Sequence, residues 1–235
     1  MYVLDMTSNP TVSIVAPSHL SGEVSFTIAA VSTERSLAPN VSDSRNMSAW
    51  TLRDMSASFE AVADAPLLEV VDAVTGREDG AISLNVTSLV FPDEDGSERH
   101  ALEVWATHGS VSELRAGGEL MSMSTSDSIT FVDDDGDEWV RYTVPLEFYD
   151  SIEVVPPADY CGASLLSVVA WAYETSNGDV AVTKAPVVMT VLAVADAPDL
   201  SITSTSVFGF EDESVILDMS SVALSDTDGS ETLTL

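Results

Sequence analysis

Residues Val62–Pro66 read VADAP, and the same five residues return at Val194–Pro198. A phrase kept at such a distance marks a tandem repeat, and the period decides the fold. The residues after each phrase agree. LLEVVDAVTGREDGAISLNVTSLVFPDEDGSERH follows the first and DLSITSTSVFGFEDESVILDMSSVALSDTDGSETLTL follows the second. Glu78 and Asp79 thereby align with Glu211 and Asp212, and Asp93, Asp95 and Glu98 align with Asp226, Asp228 and Glu231. Upstream of each phrase, Thr11–Glu34 aligns with Ser151–Glu174, placing Pro17 on Pro157 and Gly22 on Gly162. The chain is expected to be a slice of an array: the C-terminal part of one module (1–61), a complete module (62–195) and the N-terminal part of the next (196–235).

Within the complete module, runs rich in β-branched and aromatic residues are separated by Gly, Pro, Asp and Asn. They predict strands over 67–71, 81–87, 100–107, 128–132, 138–144, 151–155, 164–174 and 180–193, with one helical turn at 145–150. Seven or eight short strands in about 130 residues predict an all-β fold of tandem immunoglobulin-like (cadherin-like) β-sandwich modules. Alternation puts Leu102, Val104 and Ala106 on one face of their strand, and Val140, Tyr142 and Val144 on one face of theirs. Trp105, Trp139 and Trp171 read as packing residues at the edges of the core rather than as a platform for sugars.

Charge narrows the function. The 235 residues include 39 Asp and Glu against 8 Lys and Arg, a formal net charge of -31, and Lys184 is the single lysine. Such a surface repels nucleic acid and anionic lipid and attracts cations. The few basic side chains cannot pair most of the carboxylates, which need water or metal instead. Cys161 is the sole cysteine, which excludes an intrachain disulfide and a multi-cysteine zinc site. The most apolar stretches, 165–172 and 187–194, are too short to span a bilayer, so direct membrane insertion is not expected. Three sequons, at Asn40, Asn46 and Asn85, are glycan acceptors if the chain passes through a secretory pathway.

The acidic loops carry the chemistry. DEDGSE (93–98) and DTDGSE (226–231) each place two carboxylates at i and i+2, then a glycine, then a third carboxylate. Glycine takes the backbone angle that lets a tight turn aim several oxygens inward, and Ca²⁺ takes about six to eight of them. In a sandwich, the turn after the first strand (Glu78, Asp79; Glu211, Asp212) lies near the module's exit. The loop after the second strand (Asp93, Asp95, Glu98; Asp226, Asp228, Glu231) lies near its entrance. Exit ligands, the linker aspartates Asp64 and Asp196, and entrance ligands are therefore expected to converge on an ion between modules. DDDGDE (133–138) repeats the pattern without a second copy; Asp133, Asp135 and Asp137 are either an intramodule calcium site or a hairpin turn.

The order V-x-D-A-P, E-D, D-x-D-G-S-E, a Trp-bearing strand, and PPADYCG before a long strand resembles the tandem immunoglobulin-like or cadherin-like repeats of large RTX-type bacterial surface adhesins. The resemblance spans essentially the whole chain. It implies an extracellular, cell-surface, calcium-stiffened stalk whose partners are neighbouring modules, other copies in a filament, or a cell-surface glycan or protein. The loop 35–48, the DDDGDE run and Cys161 depart from that pattern.

No GxSxG, HExxH, P-loop or dinucleotide glycine pattern occurs, and His19, His100 and His108 are scattered, so no enzyme is expected. The leading expectation is a structural repeat, an extender in a surface adhesin or extracellular filament. The alternative is a calcium-dependent carbohydrate- or protein-binding module that uses Trp and Tyr beside a calcium loop.

Overall fold

The computed structural model describes residues 12–33, 48–93, 95–121, 130–132, 136–225 and 229–234. By compactness the chain forms two units. One gathers Met1–Asp64, Pro92–Arg99 and Tyr173–Val180; the other gathers Ala65–Phe91, His100–Ala172 and Ala181–Leu235.

The described part of the first unit contains an antiparallel hairpin of β1 (Gly22–Thr33) and β2 (Ser48–Phe59). Its apolar residues stand unusually far out of the protein, with Ile28 47% and Met55 50% exposed. By the sequence alignment, these positions correspond to Val168 and Val187, which are fully buried. Among the described residues of this unit no sheet faces the hairpin.

The second unit contains the sandwich. Its first strands are β3 (Leu67–Val70), β4 (Ala73–Arg77), β5 (Ile82–Ser83) and β6 (Val86–Val90). Next come β7 (Glu98–Thr107), β8 (Glu113–Ala116), β9 (Glu119–Leu120), β10 (Thr130–Val132) and β11 (Glu138–Val144). A single 3₁₀ turn at Leu146–Phe148 precedes β12 (Ile152–Val155), β13 (Gly162–Glu174) and β14 (Val180–Leu192). One sheet runs β10-β11-β7-β13-β14-β4 and the other runs β5-β12-β8-β9, with β3 paired to β6. The last strand pair is β15 (Asp199–Ile202) with β16 (Met219–Ala223). Among the described residues no helix is long and apolar enough to cross a membrane.

Alternation explains the core. Leu102, Val104 and Ala106 of β7 and Val140, Tyr142 and Val144 of β11 face inward, joined by Leu166, Val168 and Ala170 of β13 and Val187, Met189 and Val191 of β14. Leu114, Ile152 and Val154 come from the opposite sheet, and Leu84 from the link between β5 and β6. The all-β sandwich expected from the sequence is thus the architecture found. Seven of the eight expected strands are found, that at 128–132 being described over Thr130–Val132. The one expected over 81–87 is instead broken at Leu84–Asn85 into β5 and β6, which pair in different sheets, and the expected turn at 145–150 contains the 3₁₀ segment. Three strands escaped the pattern. β4 pairs in parallel with β14, from Val188 on Ala73 to Leu192 on Arg77, and β8 and β9 are four- and two-residue segments. Of the three tryptophans, Trp139 is buried at 3% exposure, and Trp105 and Trp171 are half-buried. They alternate with core residues: Trp105 between Val104 and Ala106, Trp139 beside Val140, and Trp171 between Ala170 and Ala172.

The backbone repeats with the sequence. Asp79 and Asp212 share a left-handed φ (62° and 66°), as do Gly96 and Gly229 (80° and 85°) and His19 and Asp159 (57° and 55°). Left-handed non-glycine residues are uncommon, so their recurrence at aligned positions indicates the same local fold in each copy.

Candidate metal centre

In the first unit the loop Pro92–Arg99 is shaped by its own aspartates. The Asp95 backbone N–H donates to Asp93 Oδ1 at 2.8 Å, and the Ser97 N–H donates to Asp95 Oδ1 at 2.7 Å. Between them Gly96 adopts φ 80°, which an L side chain resists. Asp95 Oδ2 also accepts the N–H and hydroxyl of Ser21, at 3.0 and 3.1 Å. Bonds from Ser97 and Ser21 hold the Asp95 carboxyl well below the usual carboxylate range. This aspartate, expected as a ligand, also fixes the loop.

Three other carboxylates converge. Asp93, Glu98 and Glu174 each offer an oxygen, and these atoms lie within 4.8 Å of one another. Glu174 ends β13 and is only 3% exposed. Its Oε1 accepts the Ser97 hydroxyl at 3.1 Å, and that hydroxyl is also 3.2 Å from Asp93 Oδ2. Its Oε2 is buried without a hydrogen-bond partner. Burial raises the Glu174 pKa; the Ser97 bond opposes the rise, and Glu98, Asp93 and Asp95 add to it. A buried carboxylate with an orphaned oxygen, beside two more carboxylates, is costly without a cation.

The linker is fastened to the same group. Glu98 Oε1 accepts the Asp64 backbone N–H at 2.8 Å, Asp179 Oδ2 accepts the Ala63 N–H at 3.0 Å, and Asn177 Nδ2 donates to the Ala61 carbonyl at 2.8 Å. The Asp64 carboxylate itself accepts from His19 Nδ1 at 2.5 Å. A cleft of about 190 Å³ is lined by His19, Glu60, Asp64, Asp93, Asp95 and Glu174 among others.

In the second unit the next linker has a matching attachment. Glu231 Oε1 accepts the Asp196 N–H at 2.6 Å, the repeat of the Glu98–Asp64 bond. Two residues earlier, the Val194 N–H donates to Glu78 Oε1, and the Glu78 N–H donates to the Leu192 carbonyl at 3.1 Å. Glu78 is 3% exposed, and both Glu78 Oε2 and Glu231 Oε2 are buried without partners. Exit residue, linker and entrance residue are therefore joined through Val194–Asp196.

Of the other expected ligands, Asp79, Asp137, Glu211 and Asp212 are exposed. Asp133, Asp135, Asp226 and Asp228 lie outside the described residues, as do the sequons' Asn40 and Asn46; Asn85 is described and exposed. Glu174 was missed, because it closes an apolar strand and belongs to no acidic run. The signal available was its alignment with Glu34 in the upstream repeat.

No protein-family model matches the chain, and no curated protein matches it. Among solved structures, one similar chain is a cohesin module from a Clostridium perfringens ATCC13124 family 33 glycoside hydrolase. The identity is 11% and the TM-score 0.29, covering 56% of this chain and all of that one. Similarity at that level carries no argument about function.

Proposed function

We propose that this chain is a stretch of calcium-dependent structural repeats, an extender in an extracellular, cell-surface stalk or filament, with no enzymatic role. The observation that carries the reading is Glu174, buried with Oε2 unpartnered against Asp93 and Glu98, in a loop whose Glu98 holds the linker N–H of Asp64. The donors are all hard oxygens. Two oxygens on one Ca²⁺ are separated by at most about 4.8 Å, twice a Ca–O distance near 2.4 Å, and the cluster falls within that limit. Asp93, Glu98 and Glu174 would hold the ion, with the Asp64 carboxylate at the wall of the same cleft. Because Glu98 grips both the cation and the linker backbone, ion binding would stiffen the passage from one module to the next. Equivalent hydrogen bonding at Asp196 supports a device repeated along the array.

Thermal melts of the whole chain in calcium and in chelator test the reading. Ligand at a thousand times its dissociation constant adds about 4 kcal/mol, which is several degrees in Tm. Coincident melts would sink the proposal.

A further inference from the structure

Within the first unit the linker is held at more points than the acidic cluster accounts for. The turn between β13 and β14 reads TSNGD (Thr175–Asp179), and Asn-Gly is a strong hairpin signal. The Glu174 N–H donates to the Asp179 carbonyl at 2.8 Å and the Gly178 N–H donates to the Glu174 carbonyl at 2.9 Å, with Gly178 at φ 77°. Asn177 Oδ1 accepts the Asp179 N–H at 2.9 Å. These bonds within the turn set its shape independently of what it touches.

The turn aims two side chains at the linker backbone. Asn177 Nδ2 donates to the Ala61 carbonyl at 2.8 Å, and Asp179 Oδ2 accepts the Ala63 N–H at 3.0 Å. A donor to the carbonyl of one residue and an acceptor for the N–H two residues on are what a parallel β-strand would offer an extended segment. The third bond, from the Asp64 N–H to Glu98 Oε1, comes from the loop Pro92–Arg99. The two loops are themselves tied, because the Thr175 N–H and hydroxyl both donate to the Ser97 carbonyl, at 3.0 and 2.7 Å. Neither Asn177 nor Asp179 belongs to the cluster of Asp93, Glu98 and Glu174.

We propose that Asn177 and Asp179 are positioning residues that brace the linker without metal, so that Ala61–Asp64 keeps its register when no cation is bound. The brace itself is independent of the calcium reading. Its consequence for a stalk rests on that reading: a junction held by both loops softens as calcium falls, and comes loose only when the turn is also disabled.

The test is hydrogen exchange of the full chain in chelator, read amide by amide by NMR. In the wild type the Ala63 amide should exchange about tenfold or more slowly than in the unfolded chain. Asn177 and Asp179 are exposed, where a single bond is worth little, so Asp179→Ala should speed Ala63 exchange by roughly fivefold. Asp179→Asn keeps an acceptor and should stay near the wild type. Asn177→Asp keeps the acceptor for the Asp179 N–H, loses the donor to Ala61, and should speed Ala63 exchange as Asp179→Ala does. The amides of β7, which report opening of the core, should be unchanged in all three variants. Unprotected Ala63 in the wild type, equal Ala63 rates in the wild type and Asp179→Ala, or an acceleration matched in β7 would each overturn the proposal. Repeating the series in calcium separates the two readings: calcium that alters neither the Ala63 nor the Asp64 amide counts against the metal centre and leaves the brace standing.

Discussion

Replacing Glu174 by Gln should move stability in opposite directions with and without calcium. In chelator the wild-type side chain is 3% exposed, carries an unpartnered Oε2, and faces the carboxylates of Asp93 and Glu98. An unsatisfied buried polar group costs about 1–3 kcal/mol. Glutamine keeps an acceptor for the Ser97 hydroxyl and turns the orphaned oxygen into an N–H₂ donor aimed at the neighbouring carboxylates. The variant should therefore be more stable in chelator by about 1–2 kcal/mol, a Tm rise of roughly 3–8 °C. In calcium at a hundred times the dissociation constant, the wild type gains about 2.7 kcal/mol, and the variant should lose most of that gain. Differential scanning calorimetry of both proteins in both buffers reads all four values. A variant less stable in chelator, or one keeping the full calcium increment, would refute the reasoning.

The raised Glu174 pKa fixes a sign. The folded state holds that proton more tightly, so its contribution is complete below the ordinary glutamate value and is lost as pH rises through the raised one. In chelator, acidification from neutral toward about pH 5 should raise the wild-type Tm relative to that of Glu174→Gln, measured by circular dichroism. Ser97→Ala removes the hydroxyl shared by Glu174 and Asp93 and should cost about 1 kcal/mol in urea denaturation. Gly96→Ala forces an L side chain to φ 80° and should cost about 1–2 kcal/mol while weakening calcium binding in calorimetric titration. Leu102→Ala, at a fully buried position, should cost about 3 kcal/mol with calcium affinity of the residual folded protein unchanged.

The sandwich was legible because its strands alternate cleanly and its turns use Gly, Pro, Asp and Asn. Leu102, Val104 and Ala106 announce an inward face without any tertiary information. β4 was not legible: VTGR has no alternation of its own, and its pairing with β14 joins residues more than a hundred positions apart. The candidate metal centre divides the same way. Asp93 and Glu98 are visible in the repeated DxDGSE loop, and the linker position of Asp64 is visible in VADAP. The contact of Asp95 with Ser21, 74 residues away, has no local signal. Glu174 looked like the polar end of an apolar strand, and only the fold brings it to the loop. Orphaned oxygens on Glu78, Glu174 and Glu231 are likewise properties of burial, which composition does not reveal.

The most direct measurement is a crystal structure of the chain grown with calcium, with anomalous difference maps calculated at long wavelength. The account predicts a peak about 2.4 Å from oxygens of Asp93, Glu98 and Glu174, with the Asp64 N–H still donating to Glu98. Ordered calcium elsewhere with no peak at this cluster, and Glu174 Oε2 bonded to protein or water instead, would contradict it.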